Sequence, residues 1–184
     1  FVDINAETYL LDPAQVEAAI TDRTKAIMPV HVAGCPADMD GMREVAQKHD
    51  LYLIEDACQA WGAAWNGQPV GALGDLGCFS FQASKNITCG EGGAVLTHYP
   101  RCYELAHAFA DHGHDHIGDD RGMEGHPFTG TNLRISELNA AVGLAQWRKL
   151  DGILTTQRKN KARIKKGLSD IPGITFRLVP DEAG

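Results

Sequence analysis

Two apolar runs separated by a helical segment constrain this chain more than anything else in it. Lys25-Ala26-Ile27-Met28-Pro29-Val30-His31 is continuous enough to read as a buried parallel strand, weakened at Pro29, which cannot donate to a ladder. Residues 39–49 carry Met42, Val45, Ala46 and His49 on one side and read as a helix. Leu51-Tyr52-Leu53-Ile54 is the next strand, running into Glu55-Asp56. Strand, helix and strand at this spacing make a βαβ unit, and hence an α/β fold with a mostly parallel sheet flanked by helices. Upstream, Asp12-Pro13-Ala14-Gln15 reads as a helix start, with Asp at the cap, Pro first inside and Gln placed to close a capping box.

In open α/β sheets ligands gather at the carboxyl ends of strands, and Asp56 stands at such an end. A carboxylate there either caps a following helix or pairs with a protonated ring nitrogen. A second stretch carries more chemistry. Cys78-Phe79-Ser80-Phe81 is a short buried-strand run, Lys85 follows in a polar bend, then come Gly90, Gly92 and Gly93, and Ala94-Val95-Leu96-Thr97 is another strand. Lysine between buried strands is a costly structural choice, whereas desolvation favours the neutral amine that forms a Schiff base with a carbonyl. The alternative is a surface turn with a solvated lysine. Ser80 offers a hydroxyl to an anion such as phosphate, and the stretch lacks the glycine before lysine of a Walker A loop.

Charge and cysteines narrow the class further. A net charge of −7, with no basic cluster interleaved with aromatics, argues against a nucleic-acid surface. Cys35, Cys58, Cys78, Cys89 and Cys102 are odd in number and lack C-x-x-C spacing, as expected of reduced thiols in a cytoplasmic protein. No signal peptide or membrane span is evident. Phe1-Val2-Asp3-Ile4 opens without Met and Pro180 to Gly184 closes just after a strand-like run, so a fragment lacking N- and C-terminal parts is expected.

Together these motifs carry a resemblance. Glu55-Asp56-Ala57-Cys58-Gln59-Ala60-Trp61-Gly62-Ala63, then Gly74 to Phe81, then Ser84-Lys85-Asn86-Ile87-Thr88-Cys89-Gly90-Glu91-Gly92-Gly93 resemble the DegT/DnrJ/EryC1/StrS family of sugar aminotransferases. Pro29-Val30-His31 and Asn132-Leu133-Arg134-Ile135-Ser136-Glu137-Leu138-Asn139 add to it. The resemblance implies the pyridoxal-phosphate-dependent transferase fold of type I, with residues 1–150 in the large cofactor domain and 151–184 forming a connecting helix and the start of a small C-terminal domain. It implies pyridoxal 5'-phosphate as cofactor, a keto sugar (nucleotide-linked) as acceptor, glutamate or glutamine as donor, and a homodimer with shared sites.

Residue by residue, Lys85 matches the Schiff-base lysine, Asp56 the partner of the pyridine nitrogen and Gln59 the ligand of the ring's phenolic oxygen. Ser80 matches a phosphate ligand, and Asn132 an asparagine reaching the phosphate in the neighbouring subunit. Cys58 stands where the family often has Ala beneath the ring, and Trp61 where it often has His. Dehydratase members carry His at the position of Lys85, so the lysine favours amino transfer over dehydration. A non-catalytic, cofactor-binding regulatory protein would have no need of the proton-transfer lysine.

Beyond the core motif, residues 103–111 read as a short helix. His112, His114 and His116 would share one face of a strand and suggest zinc, but Gly113, Gly118, Asp119, Asp120, Gly122 and Gly125 read as a loop near the substrate mouth, and no metal is expected. Ser136 caps a helix with Leu138, Ala141, Val142 and Ala145 inward, and a second helix begins near Asp151 with Ile153, Leu154, Ile164 and Leu168. Residues 173–179 read as a strand.

Overall fold

The computed structural model describes residues 1–115 and 125–182. Helix α1 spans Pro13–Ala18, and the Asp12 carboxylate accepts from the Ala14 N–H at 2.8 Å. The cap forms as expected, but among the described residues no hydrogen bond from the Gln15 side chain closes a box. Strand β1 is only Ala26–Ile27, because Pro29 removes the next donor; pairing resumes as a single parallel bridge between Val30 and Asp56.

Helix α2, Met39–Lys48, is capped by Asp38, whose carboxylate accepts from the Gly41 N–H at 3.0 Å. Its apolar face buries Met39, Met42, Val45 and Ala46 against Ile27 of β1, Val16 of α1 and Leu53. Each such side chain removed from water contributes about 1.5–3 kcal/mol, so this stripe fixes the helix on the sheet.

Strand β2, Tyr52–Asp56, pairs parallel with β1. Alternation sends Leu53 and Glu55 to one face and Ile54 and Asp56 to the other. Next comes a short hairpin of β3, Ala64–Trp65, and β4, Gln68–Pro69. Its Asn66-Gly67 turn has φ of 50° and 77°, the left-handed pair a two-residue hairpin needs. Strand β5, Leu76–Ser80, runs parallel to β2, and β6, Gly93–Thr97, returns antiparallel to β5. The sheet order is β1-β2-β5-β6, so one antiparallel strand joins an otherwise parallel sheet.

The hairpin brings residues 71–74 back beneath β2, where Glu55 receives them. Its carboxylate accepts from the backbone N–H of Gly71, Leu73 and Gly74 at 2.7, 2.6 and 2.7 Å. His31 Nε2 adds a fourth contact at 3.1 Å. The close approach excludes side chains, since a Cβ on Gly77 of β5 would run into the Gly71 carbonyl. Burial raises the Glu55 pKa, but the His31 and backbone hydrogen bonds outweigh it and hold the carboxyl below its ordinary value of 4.5.

A depressed folded-state pKa contributes stability that is present above the unfolded value and lost as pH falls through the folded one. The urea midpoint is therefore expected to decline below about pH 4.5 in the wild type, and Glu55→Gln should lack that component. Equal acid losses in both proteins, measured by urea titration across pH 2.5–6 (an approximate range), would show that Glu55 is not the group responsible.

A second core gathers Ala57, Ala60, Trp61, Ala63, Val70, Phe79 and Ile87. Helix α3 spans Pro100–Ala110, starting earlier than the expected residue 103 because Pro100 takes the first helical turn. Helix α4, Glu137–Trp147, begins at Ser136, whose hydroxyl accepts from the Asn139 N–H at 3.2 Å, and α5 spans Leu150–Leu168.

Three expectations need correction. Leu138 and Val142 do not face inward: they are 80% and 48% exposed, because no element among the described residues lies over that face of α4. On α5, Ile164 is likewise exposed, whereas Leu154 packs against the backbone of Gly62. Residues 173–179 find no partner strand among the described residues; Leu178 N–H donates to the Glu7 carbonyl at 2.9 Å and Ile174 N–H to the Ile171 carbonyl at 3.2 Å. No helix among the described residues is long and apolar enough to cross a membrane.

Candidate functional site

Asp56 closes β2 with two backbone ties and one made by its side chain. Its N–H donates to the Pro29 carbonyl at 2.9 Å and its carbonyl accepts from the His31 N–H at 3.0 Å. Its carboxylate accepts from the Cys58 N–H at 3.1 Å, so it caps a turn where a helix cap was the alternative expected. The carboxylate is half-buried at the carboxyl end of the parallel strands. Ser80 ends the neighbouring β5 on the same edge, its Oγ accepting from the Gln82 N–H at 3.2 Å, which leaves the hydroxyl proton to donate elsewhere.

The Lys85 segment is a turn rather than a buried link. Lys85 N–H donates to the Gln82 carbonyl at 2.9 Å, and Gln82 Oε1 accepts from both the N–H and the hydroxyl of Ser84, at 2.9 and 2.6 Å. This winds residues 82–86 outward past the strand end, so Lys85 is half-buried. It lines a cavity of about 330 Å³ with Cys58, Gln59, Trp61, Ser84 and Asn86.

Gln59 enters this cavity in a fixed sense. Its Oε1 accepts from the Ala33 N–H at 2.8 Å, so the amide NH₂ is the end left to donate. Cys58 is a wall and not a nucleophile: burial first, then the hydrogen bond and charge of Asp56, push its thiol up to about 11, against a small opposing pull from Lys85. Trp61 donates its indole N–H to the Ser80 carbonyl at 2.9 Å and packs against Phe79 and Phe81, with ring centroids at 4.3 and 5.3 Å. Its indole N–H thereby steadies the end of β5.

Of the anticipated site residues, Cys58, Gln59 and Lys85 share the cavity, and Asp56 and Ser80 end the two strands beside it. Asn132 is not among the lining residues. It is exposed and bridges to Asp111, and its Oδ1 accepts from the N–H and Nε of Arg134 at 3.2 and 3.3 Å, which turns its NH₂ outward. Sequence reading missed the Ala33 N–H and the Gln82 side chain. Neither had a signal, since an alanine at φ 53° is not legible from residue type.

The three-histidine reading changes too. His116 lies outside the described residues, and His112 and Gly113, with φ of 60° and 88°, form a turn and not a strand face. Ligand atoms of Asp111, His112 and His114 lie within 4.8 Å of one another. The Asp111 oxygen, however, already meets Arg134 Nη1 at 3.2 Å and His112 Nδ1 at 3.1 Å.

A model of the DegT/DnrJ/EryC1/StrS aminotransferase family matches residues 1–183. The chain belongs to this family. A Streptoalloteichus tenebrarius protein named for a proposed L-glutamine:3-amino-2,3-dideoxy-scyllo-inosose aminotransferase activity is 42% identical over 174 residues, 95% of this chain and 41% of that protein. The crystal structure of Streptomyces venezuelae DesV, in complex with a ketimine intermediate, superposes with a TM-score of 0.89 at 38% identity, over 98% of this chain and 47% of that one. Escherichia coli GDP-4-keto-6-deoxy-D-mannose-3-dehydratase, solved with bound hydrated PLP, gives 0.83 at 28% identity, over 100% of this chain and 54% of that one. The chain thus spans about two fifths of the curated relatives it matches. The fold is that of PLP-dependent aminotransferases, and family and neighbours alike indicate dependence on pyridoxal phosphate.

Proposed function

We propose that the full-length protein transfers an amino group from glutamate or glutamine to a nucleotide-linked keto sugar, using pyridoxal phosphate held at Lys85. The observation that carries this reading is the cavity in which Lys85 stands beside the oriented amide of Gln59. The donor set suits the cofactor's distinct groups. A carboxylate at a strand end, Asp56, suits a protonated ring nitrogen, and an outward NH₂, Gln59, suits a phenolic oxygen. The free hydroxyl proton of Ser80 suits a phosphate, and the small Cys58 side chain leaves room for a flat ring.

When bound, the cofactor supplies an aldehyde and an electron-withdrawing ring. Lys85 would bond the aldehyde carbon through its amine and be released when the donor's amino group takes its place. Its amine, once freed, would be the group that moves a proton away from the donor's α carbon. Asp56 would keep the ring nitrogen protonated, which favours loss of the α proton. Residues 1–150 would belong to the large cofactor domain, with 151–184 leading into a smaller one, in a cytoplasmic enzyme.

The relatives' names support an amino transfer to a cyclitol or to a nucleotide-linked sugar. The E. coli likeness favours a second reading, dehydration of a keto sugar. A coupled assay of the full-length protein with glutamate and glutamine, against nucleotide keto sugars and keto cyclitols, separates them. Glutamate- or glutamine-dependent amino-sugar formation is expected; loss of a sugar hydroxyl without amine incorporation would establish the dehydratase, and no turnover at all a regulatory protein.

Asn132 serves this scheme only across a dimer. Its exposed, outward NH₂ lies in a loop ahead of α4 and off the Lys85 cavity, as a ligand for the partner's phosphate would. Lys85→Ala and Asn132→Ala would then damage different sites of a mixed dimer, one site carrying both defects and the other intact. Reassembling the two variants is expected to restore about half of wild-type activity per heterodimer. No rescue above the Asn132→Ala level, or an unimpaired Asn132→Ala homodimer, would remove Asn132 from a shared site.

A further inference from the structure

Behind the cavity lies a buried polar pair for which the proposed chemistry has no use. His31 and Glu55 are both 0% exposed. A carboxylate and an imidazole out of water are costly unless their hydrogen-bonding groups are occupied, and here they are. The Ala37 N–H donates to His31 Nδ1 at 3.0 Å, so the ring proton sits on Nε2, facing Glu55 at 3.1 Å. Glu55 thereby selects one tautomer.

That tautomer closes a loop. The His31 backbone N–H is tied to the Asp56 carbonyl, and its ring accepts from Ala37, so residues 32–37 are clamped at both ends by one residue. Inside the clamp Ala33 is held at φ 53°, a left-handed conformation that a Cβ makes unfavourable and that persists only when its surroundings impose it. The Ala33 N–H is the donor that orients Gln59.

We propose that His31 is a positioning residue for the cofactor's phenolic oxygen, acting through the chain His31 ring, Ala37, Ala33 N–H, Gln59 amide, with Glu55 holding the imidazole in the required tautomer. The inference rests on the proposed function for what Gln59 meets. It assigns the buried pair to tuning the site, not merely to holding the fold.

The test uses the full-length protein loaded with pyridoxal phosphate and reads the pH midpoint of the bound cofactor's visible absorbance. Gln59→Ala removes a donor that favours the deprotonated, more anionic form, so the midpoint is expected to rise by about one pH unit. His31→Gln places its amide near Nε2 and loses the acceptor for Ala37; the midpoint should rise comparably. His31→Asn places a carbonyl near Nδ1, keeps that acceptor and should leave the midpoint near wild type. Adding Gln59→Ala to His31→Gln should raise it no further than Gln59→Ala alone.

An unchanged His31→Gln midpoint, equal shifts in His31→Gln and His31→Asn, or additive shifts in the double variant would overturn the proposal. Should His31→Gln not fold, ¹⁵N NMR of the wild-type imidazole decides: an unprotonated Nδ1 supports the chain, and a protonated Nδ1 ends it. A wild type with no cofactor absorbance would instead sink the proposed function, and this inference with it.

Discussion

Replacing Lys85 with Ala is expected to lower turnover of the full-length protein by at least about 10³-fold, roughly 4 kcal/mol of barrier. Two losses combine in this one substitution: the covalent hold on the cofactor's aldehyde carbon, and the amine that moves the proton. No other lysine lies in the 77–93 stretch, and Lys85 alone among lysines lines the cavity with Gln59. Steady-state rates with saturating cofactor and donor check the prediction. The fold should survive, since Lys85 is a half-buried turn residue whose structural tie is made by its backbone N–H. A variant within tenfold (an approximate threshold) of wild type would remove Lys85 from the chemistry.

The second large effect is expected at Asp56. Asp56→Asn keeps the side chain's size and an oxygen able to accept from the Cys58 N–H, so the turn after β2 should persist. What it removes is the negative charge paired with the ring nitrogen. Turnover should then fall by at least about 10²-fold, or about 2.7 kcal/mol, at saturating cofactor. The same substitution also relieves Cys58, because the Asp56 charge is among the causes that hold its thiol up at about 11. Faster alkylation of Cys58 in the variant would report that the charge has gone while the fold stands. Turnover within a few-fold of wild type, with that alkylation change present, would leave Asp56 as a turn cap only.

The sheet could be read from residue order because its signals are local. The helix caps Asp12 and Ser136 are single-residue signatures, and the apolar runs at 25–31, 51–54 and 78–81 fall on three strands of the sheet, although Pro29 cuts the first to Ala26–Ile27. Helix faces were another matter. Leu138 and Val142 have core periodicity yet stand exposed, since periodicity says that a face is apolar and not what covers it. The site divides the same way. Asp56, Gln59, Ser80 and Lys85 were legible from motif and strand ends. The Ala33 N–H that orients Gln59, and the three N–H groups that meet Glu55 beside the His31 ring, are backbone groups brought in by loops, and side-chain identity does not encode them.

The proposed function requires pyridoxal phosphate to be bound covalently to Lys85. Borohydride reduction of the full-length, cofactor-loaded protein, followed by proteolysis and peptide mapping, reads that bond. One pyridoxyl group per chain is expected, on the peptide containing Lys85, with none fixed in Lys85→Ala. Labelling on a different lysine, or labelling of Lys85→Ala at wild-type stoichiometry, would contradict the account.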